Sequence, residues 1–223
     1  SISDAIIPPS YFFGSWISKL DKAILKSPKR QTNSPFFSCS SKNKAKQFNQ
    51  FILYSNLSVS AITKQDIEHL KFGTEHDIDF VAVSFVRNGI DIKSVRDIVP
   101  KDVKIIAKIE LKTALENIDE ILQVSDGVMV ARGDLGVQLP IEQVPFVQKQ
   151  ILDAANKKGK ISITATEMLQ SMKSSYRPTR AEVTDITNAI LEGSDAVMLS
   201  AETSIGDHPN RVIEVMSGIC EEV

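Results

Sequence analysis

The chain has 223 residues, of which 42% are hydrophobic and 24% charged, with 26 basic against 28 acidic side chains. It contains no run of about eighteen apolar residues, which excludes a membrane-spanning helix, and its net charge of -2 argues against a general nucleic-acid binder. The first residues lack the ordered charged leader, apolar block and cleavage site of a secretory signal. Cys39 and Cys220 form neither a disulfide framework nor a metal pattern, so a reducing, cytoplasmic setting is expected.

The average conceals a break. Residues 1–57 hold eight Lys/Arg against Asp4 and Asp21, a net of +6, whereas residues 58–223 hold 18 basic and 26 acidic side chains, a net of -8. The lead also carries nine of the fourteen aromatics and a single glycine, Gly14. Its Ser/Lys/Pro-rich stretch from Lys26 to Lys46 has no sustained apolar period, so residues 1–57 read as an irregular, basic, aromatic extension of unassigned role. A basic arm for nucleic acid or an anionic membrane is the less favoured reading of the same residues.

Beyond the lead, β-branched runs alternate with amphipathic helical patterns. Thr63 with Asp66 has the spacing of a capping box, and Gly73 is placed to end the helix it starts. The strand candidates are Phe80–Val86, Lys104–Glu110, Gly127–Ala131, Ile161–Thr166 and Ala196–Ser200, short and apolar enough for buried parallel strands. Thr113 with Glu116 and Thr179 with Glu182 are expected to cap two intervening helices. Pro145 stands where another begins, and Gly159 follows Lys157 and Lys158 at its end. A last helix is expected from about Pro209 to Glu222, burying Val212, Val215, Met216 and Ile219. This βα repeat implies a parallel α/β sheet, and neither a GxGxxG nor a GxxxxGK[ST] motif supports a nucleotide-binding open sheet. Polar chemistry instead sits at the end of nearly every strand: Ser84 and Arg87, Lys108 and Glu110, Arg132 and Asp134, Thr164 to Glu167, Ser200 and Glu202. That distribution favours part of a (β/α)8 (TIM) barrel.

Lys108 and Glu110 are two apart on one strand and therefore share a face, where burial is costly unless they pair or bind something. An ordinary Lys–Glu pair closing the barrel mouth is the plain alternative. Asp134, flanked by Gly133 and Gly136, lies on a turn that lets backbone approach a ligand. Two carboxylates from adjacent strand ends, with His69, His76 and His208 elsewhere, suit a hard cation such as Mg2+ or Mn2+. Thr164 and Thr166 also share a strand face, a weak signal for substrate or water binding. An Arg-Gly-Asp adhesion motif at 132–134 is discounted because it follows a buried strand. Arg177 and Arg180 read first as part of a turn and cap, and second as a hold for an anion or another subunit. The residues thus point to a divalent-metal site with a lysine beside it, acting on a phosphorylated or carboxylated small molecule.

The ordered segments KIIAKIE, SDGVMVARGDLG, ITATEMLQSM, RPTRAEVTD and NAILEGSDAVMLSAET, preceded by ITKQDIEHLKFG and DFVAVSFVRN, resemble the pyruvate kinase family over residues 58–223. The resemblance implies the last five βα units of that family's catalytic barrel. It implies transfer of phosphate from phosphoenolpyruvate to ADP, giving pyruvate and ATP in glycolysis. By the same resemblance Glu110 and Asp134 bind the divalent metal, and Lys108 stabilises the transferred phosphoryl group and the enolate. Thr166 lies near the carbon that is protonated, and the backbone of Ala131, Arg132 and Gly133 contacts the substrate carboxylate. A homo-oligomer, a tetramer in the full-length family, is implied too.

Three departures stand out. Glu167 replaces the usual Gln and adds negative charge near the site, and Ala201 replaces a usual Gly. The family's first three strands, which carry a phosphate-binding arginine and the ligands of K+, have no counterpart motifs in residues 1–57. The lid domain over the nucleotide and the regulatory domain are not matched either. An incomplete barrel leaves sheet edges and part of an apolar core to be covered, so this chain alone is expected to turn over little or nothing. A non-catalytic interaction module and a metal-dependent lyase of the phosphoenolpyruvate/pyruvate superfamily are the alternatives; the Lys-Ile-Glu and Thr-Arg-Ala-Glu runs favour the kinase.

Overall fold

Short β-branched runs bury both faces only when helices cover the sheet, and the chain supplies one helix or helix pair after each strand. A computed structural model describes residues 62–223 together with the backbone of Ile6 and Ile7. The boundary at residue 57, Cys39 and the Lys26–Lys46 stretch lie outside the described residues. In chain order the elements are β1 (Ile6–Ile7), α1 (Lys64–Glu75), β2 (Phe80–Val83), α2 (Gly89–Arg96), β3 (Lys104–Ile109), α3 (Lys112–Glu116) and α4 (Ile118–Val124). They continue with β4 (Gly127–Ala131), α5 (Arg132–Gln138), α6 (Val144–Lys157), β5 (Ile161–Ala165), α7 (Arg180–Leu191), β6 (Ala196–Met198), α8 (Ala201–Ser204) and α9 (Pro209–Glu222).

The sheet order is β1-β6-β5-β4-β3-β2. Strands β2 to β6 are parallel and each pairs with its sequence neighbour, the succession of a barrel wall. The expected irregular extension contributes one element: Ile6 and Ile7 pair antiparallel with Met198 and Val197, so β6 is not an open edge along those residues. The α/β incomplete-barrel architecture is therefore as the strand rhythm predicts, with a short strand added.

The two sheet faces separate cleanly by alternation. Val81, Val83, Ile105, Ala107, Ile109, Val128 and Val130 pack with α2, α4 and α6 in the larger helical-side core. Val197 and Leu199 pack with Ile186, Val212 and Met216 in a second core on the same side. Ile106, Met129, Ile163, Ala165, Ala196 and Met198 form the core of the opposite, inner face. Lys108 and Glu110 continue the parity of Ile106, which places them on that inner face at the C-terminal strand ends.

Several local expectations are corrected. Gly73 is buried inside α1, which continues to Glu75 and is closed at His76. Thr113 is not a cap: α3 starts at Lys112 after Leu111, whose side chain makes no cap bond. Strands β2, β3, β5 and β6 stop one to three residues before the apolar runs end. In β2 and β5 the backbone beyond the strand turns left-handed, at Phe85 (φ 57°), Thr166 (φ 72°) and Glu167 (φ 56°), and leaves the ladder. The capping boxes at Thr63/Asp66 and Thr179/Glu182 form with both reciprocal bonds, Pro145 lies in the first turn of α6, and Gly159 is left-handed at φ 61°. Helix α9 covers the expected span, burying Val212 and Met216 with Val215 and Ile219 packed against them and adding Cys220.

Two measurements probe this packing. Gly127 opens β4 where a Cβ would stand 2.6 Å from the Ile161 carbonyl oxygen and 2.8 Å from Ile106 Cδ1. Urea unfolding of Gly127→Ala should show a loss of about 1–3 kcal/mol from overpacking. Burial raises the Glu182 carboxyl, but bonds from the Ser171 hydroxyl and amide and the Thr179 amide and hydroxyl outweigh it and hold the group below the usual glutamate range. The stability Glu182 adds is therefore present above the unfolded value and lost as pH falls through the folded one. Urea curves of wild type and Glu182→Gln should converge on acidification and separate toward neutral pH.

Candidate active site at the strand ends

Lys108 and Glu110 occupy the end of β3. Lys108 Nζ lies 2.5 Å from Glu110 Oε1 and donates to Ser84 Oγ at 3.0 Å. Glu110 is only 1% exposed, and its other oxygen, Oε2, accepts the Phe85 N–H at 2.6 Å. The left-handed Phe85 stands two residues past the end of β2, and its amide meets a carboxylate at the end of the neighbouring strand. Burial pushes the Glu110 carboxyl above the ordinary range; Lys108 and the Phe85 amide pull it back, and the charge of Asp134 pushes it further up. A carboxylate has about four lone-pair positions. The two oxygens of Glu110 therefore keep acceptor capacity beyond the lysine and the amide.

Asp134 lies in the first turn of α5 and is exposed. Helix α5 begins at Arg132 directly after β4, so its first amides have no partner one turn back. One of them, Gly133 N–H, donates to Thr166 Oγ1 at 2.8 Å. Ala131, the last residue of β4, is buried. The turn from Ala131 to Asp134 thus lies between the Glu110 strand and Thr166, and the expected site residues occupy three successive strand ends.

Arg132 is buried at 7% exposure and its guanidinium is committed to protein. Nη1 holds Asp185 at 2.8 and 2.7 Å, and Nε and Nη2 donate to the Thr166 carbonyl at 3.1 and 2.6 Å. The side chain therefore belongs to a scaffold reaching α6 and α7, and the adhesion reading of residues 132–134 has no exposed arginine to offer. Thr166 is β-branched, and its left-handed φ of 72° costs about 1–3 kcal/mol that the surroundings must offset.

Thr164 does not join Thr166. Its hydroxyl is buried against Ser194 Oγ, because Thr164 has the parity of the helical side and the left turn at Thr166 ends the alternation. Arg87 is held by Asp91 through two side-chain bonds. Glu202 is fully buried and accepts the amides of Leu169 and Ser200, a structural task at the β6 end. None of the three histidines touches the Glu110–Asp134 region through a described bond, and Glu167 is exposed beside Thr166.

Sequence reasoning missed Phe85, Gln148 and Asp185. The Phe85 contribution is a backbone amide and carries no side-chain signal. Gln148 falls four residues after Val144 and three before Ile151, on the buried stripe of α6, and that position was a legible sign of a buried polar partner.

For a cation the fit rests on donor chemistry. Glu110 and Asp134 offer hard oxygens, and the Asp134 charge is felt at Glu110. Among the described residues no group of three or more His, Cys, Asp or Glu gathers as a cage. Two carboxylates match an ion that keeps waters and substrate oxygens as its remaining ligands, as Mg2+ does.

The family model described as pyruvate kinase, barrel domain, matches residues 31–213. The pyruvate kinase of Dictyostelium discoideum is 48% identical over 169 residues, which are 74% of this chain and 33% of that protein. The pyruvate kinase of Thermotoga maritima is 50% identical over 171 residues, 75% of this chain and 37% of the relative. That of Methanocaldococcus jannaschii is 49% identical over 170 residues, 75% and 38% of the two lengths. The chain spans about a third of the length of these relatives. Since the family match covers most of the sequence and includes every strand end described above, the chain belongs to the pyruvate kinase family, as part of its barrel domain.

Proposed function

We propose that these strand ends take part in phosphoryl transfer between phosphoenolpyruvate and ADP, giving pyruvate and ATP, in a cytoplasmic glycolytic enzyme. The observation that carries the reading is the buried Glu110 carboxylate, paired with Lys108 on the inner face and electrostatically coupled to Asp134. A charge so placed is costly to the fold, and a ligand that needs it accounts for its position.

Glu110 and Asp134 are the residues that hold Mg2+ or Mn2+, which when bound supplies charge neutralisation for the phosphate and enolate oxygens. Lys108 places a cation at the same mouth; steadied by Ser84 and Glu110, it stabilises the transferring phosphoryl group and the enolate. Thr166 Oγ1 accepts the Gly133 amide, which leaves its own O–H to donate toward the carbon that gains a proton. The backbone at Ala131, Arg132 and Gly133 receives the substrate carboxylate at the start of α5, where the Gly133 amide also holds the Thr166 hydroxyl oxygen. K+ is carried over from the resemblance alone, and no described residue is assigned to it. The relatives being longer, full turnover and homo-oligomeric, tetrameric assembly belong to the larger frame, and this chain by itself is expected to show little activity.

Turnover is tested by a lactate-dehydrogenase-coupled assay on a full-length protein that carries this sequence. Mg2+-dependent activity should fall about 10²–10³-fold in Lys108→Met; no metal-dependent turnover in the wild-type protein would refute the proposal. Binding is tested separately by Mn2+ titration followed by electron paramagnetic resonance. Glu110→Gln and Asp134→Asn should each weaken Mn2+ by tenfold or more on the scale of about 10–100-fold typical of altered metal-site groups. Protons compete with the metal for Glu110, and its carboxyl titrates above the ordinary range. Mn2+ affinity should therefore begin to fall, as pH is lowered, at a higher pH than for an ordinary carboxylate, and Glu110→Gln should abolish that component.

A further inference from the structure

The β4–α5 turn grips Thr166 at two points. Gly133 N–H donates to its hydroxyl oxygen at 2.8 Å, and the Arg132 guanidinium donates twice to its carbonyl, at 3.1 and 2.6 Å. The next residue in the same turn is Asp134. Three consecutive residues thus provide a hold on the Thr166 carbonyl, a hold on its hydroxyl, and a carboxylate whose charge is felt at Glu110.

We propose that Arg132 is a positioning residue, setting the Thr166 hydroxyl for proton transfer through the Thr166 backbone, without touching substrate through its side chain. The inference rests on the reading of Thr166 given above. Thr166 and Glu167 are consecutive left-handed residues, neither of them glycine, Asn or Asp, and nothing intrinsic to their sequence favours that turn. The turn is imposed from outside by a planar fork that cannot lose its proton at working pH. The fork is in turn fixed from behind. Nη1 is gripped by both oxygens of Asp185 on α7 and lies 3.5 Å from Gln148 Oε1 on α6, while Nη2 lies 3.5 Å from the Met168 sulfur. Gln148 is itself tied to Glu192 at 2.9 Å, beyond the end of α7. Downstream, Glu202 Oε1 accepts the Leu169 amide at 3.2 Å and anchors the far side of the turn. Arg132 is the member of this network that reaches Thr166. Lysine at 132 would keep the charge and lose the fork, since one ammonium cannot reproduce both the paired donation to Thr166 and the two-oxygen grip on Asp185.

The test is a double-mutant cycle on the protein carrying this sequence, with Arg132→Lys, Thr166→Val and the combination, reading kcat and KM for phosphoenolpyruvate separately. Thr166→Val keeps the β-branched shape and removes the hydroxyl. If Arg132 acts through that hydroxyl, Arg132→Lys lowers kcat by about 10–100-fold, the cost of a small misplacement, with KM changed less than threefold. The double variant is then no slower than Thr166→Val alone. Multiplying effects, a change confined to KM, or an unchanged kcat would overturn the proposal. Should Arg132→Lys fail to fold, Asp185→Asn, which loosens the fork from behind, takes its place with the same expectations. Inactive wild type, or full activity in Thr166→Val, would instead mean that the reading of the site is wrong. The brace is then judged by amide hydrogen exchange: Arg132→Lys must accelerate exchange over residues 166–169 at least tenfold while leaving α9 unchanged, and unaltered exchange there overturns it.

Discussion

Everything at the strand ends follows from keeping one carboxylate charged in a place almost closed to water. Glu110 is 1% exposed, and an ion so buried is tolerated only when it is paired and hydrogen-bonded. The chain meets that need twice. Lys108 stands two residues earlier on the same strand face, at 2.5 Å, and the Phe85 amide arrives from β2 at 2.6 Å. The parallel register that sets Val83 beside Ala107 brings the end of β2 level with this part of β3, and the left-handed turn at Phe85 completes the approach. The sheet is thus bent at its mouth to suit a charge.

The same logic holds one and two strands further on. Arg132 is a buried cation with its own compensation, from Asp185 and the Thr166 carbonyl. The two buried centres have opposite sign and are separated along the sheet by the register pairing Lys108 with Met129 and Ala131 with Ala165. Glu110 is satisfied from its own and the neighbouring strand end, Arg132 from the Thr166 carbonyl and from Asp185 on α7, so each charge has its own partners. Asp134, two residues beyond Arg132 in the same turn, stays exposed and outside both buried centres.

Much of the scaffold was legible because strand and helix periodicity are local. The five parallel strands, both working capping boxes, Pro145 and the span of α9 all followed from spacing within a dozen residues. Lys108, Glu110 and Asp134 could be singled out because charge next to an apolar β-branched run is anomalous in itself. What stayed hidden was non-local or carried by backbone. No pattern near Thr113 distinguishes its spacing from that of Thr179, and only packing decided that α3 would start after Leu111 without a cap. The shared face assigned to Thr164 and Thr166 failed because alternation presumes extended backbone, and a φ of 72° at Thr166 breaks it. The partners of Arg132 lie 16, 34, 36 and 53 residues away, beyond any periodic signal.

Glycine usage sharpens the contrast between residues that the fold requires and residues that it does not. Gly127 is sterically compelled, since a methyl there would collide with the β5 backbone. Gly133 is different. A Cβ at that position would meet Thr166 Oγ1 at 3.5 Å and Thr166 Cβ at 3.8 Å, ordinary contacts, and its φ is not left-handed. Packing among the described residues therefore gives no reason for glycine beside Arg132 and Asp134. A bare backbone there leaves the β4–α5 turn open on the side where a side chain would otherwise stand. Gly133 is thus a glycine of the turn that packing among the described residues leaves unexplained, and close approach by a small anion would explain it.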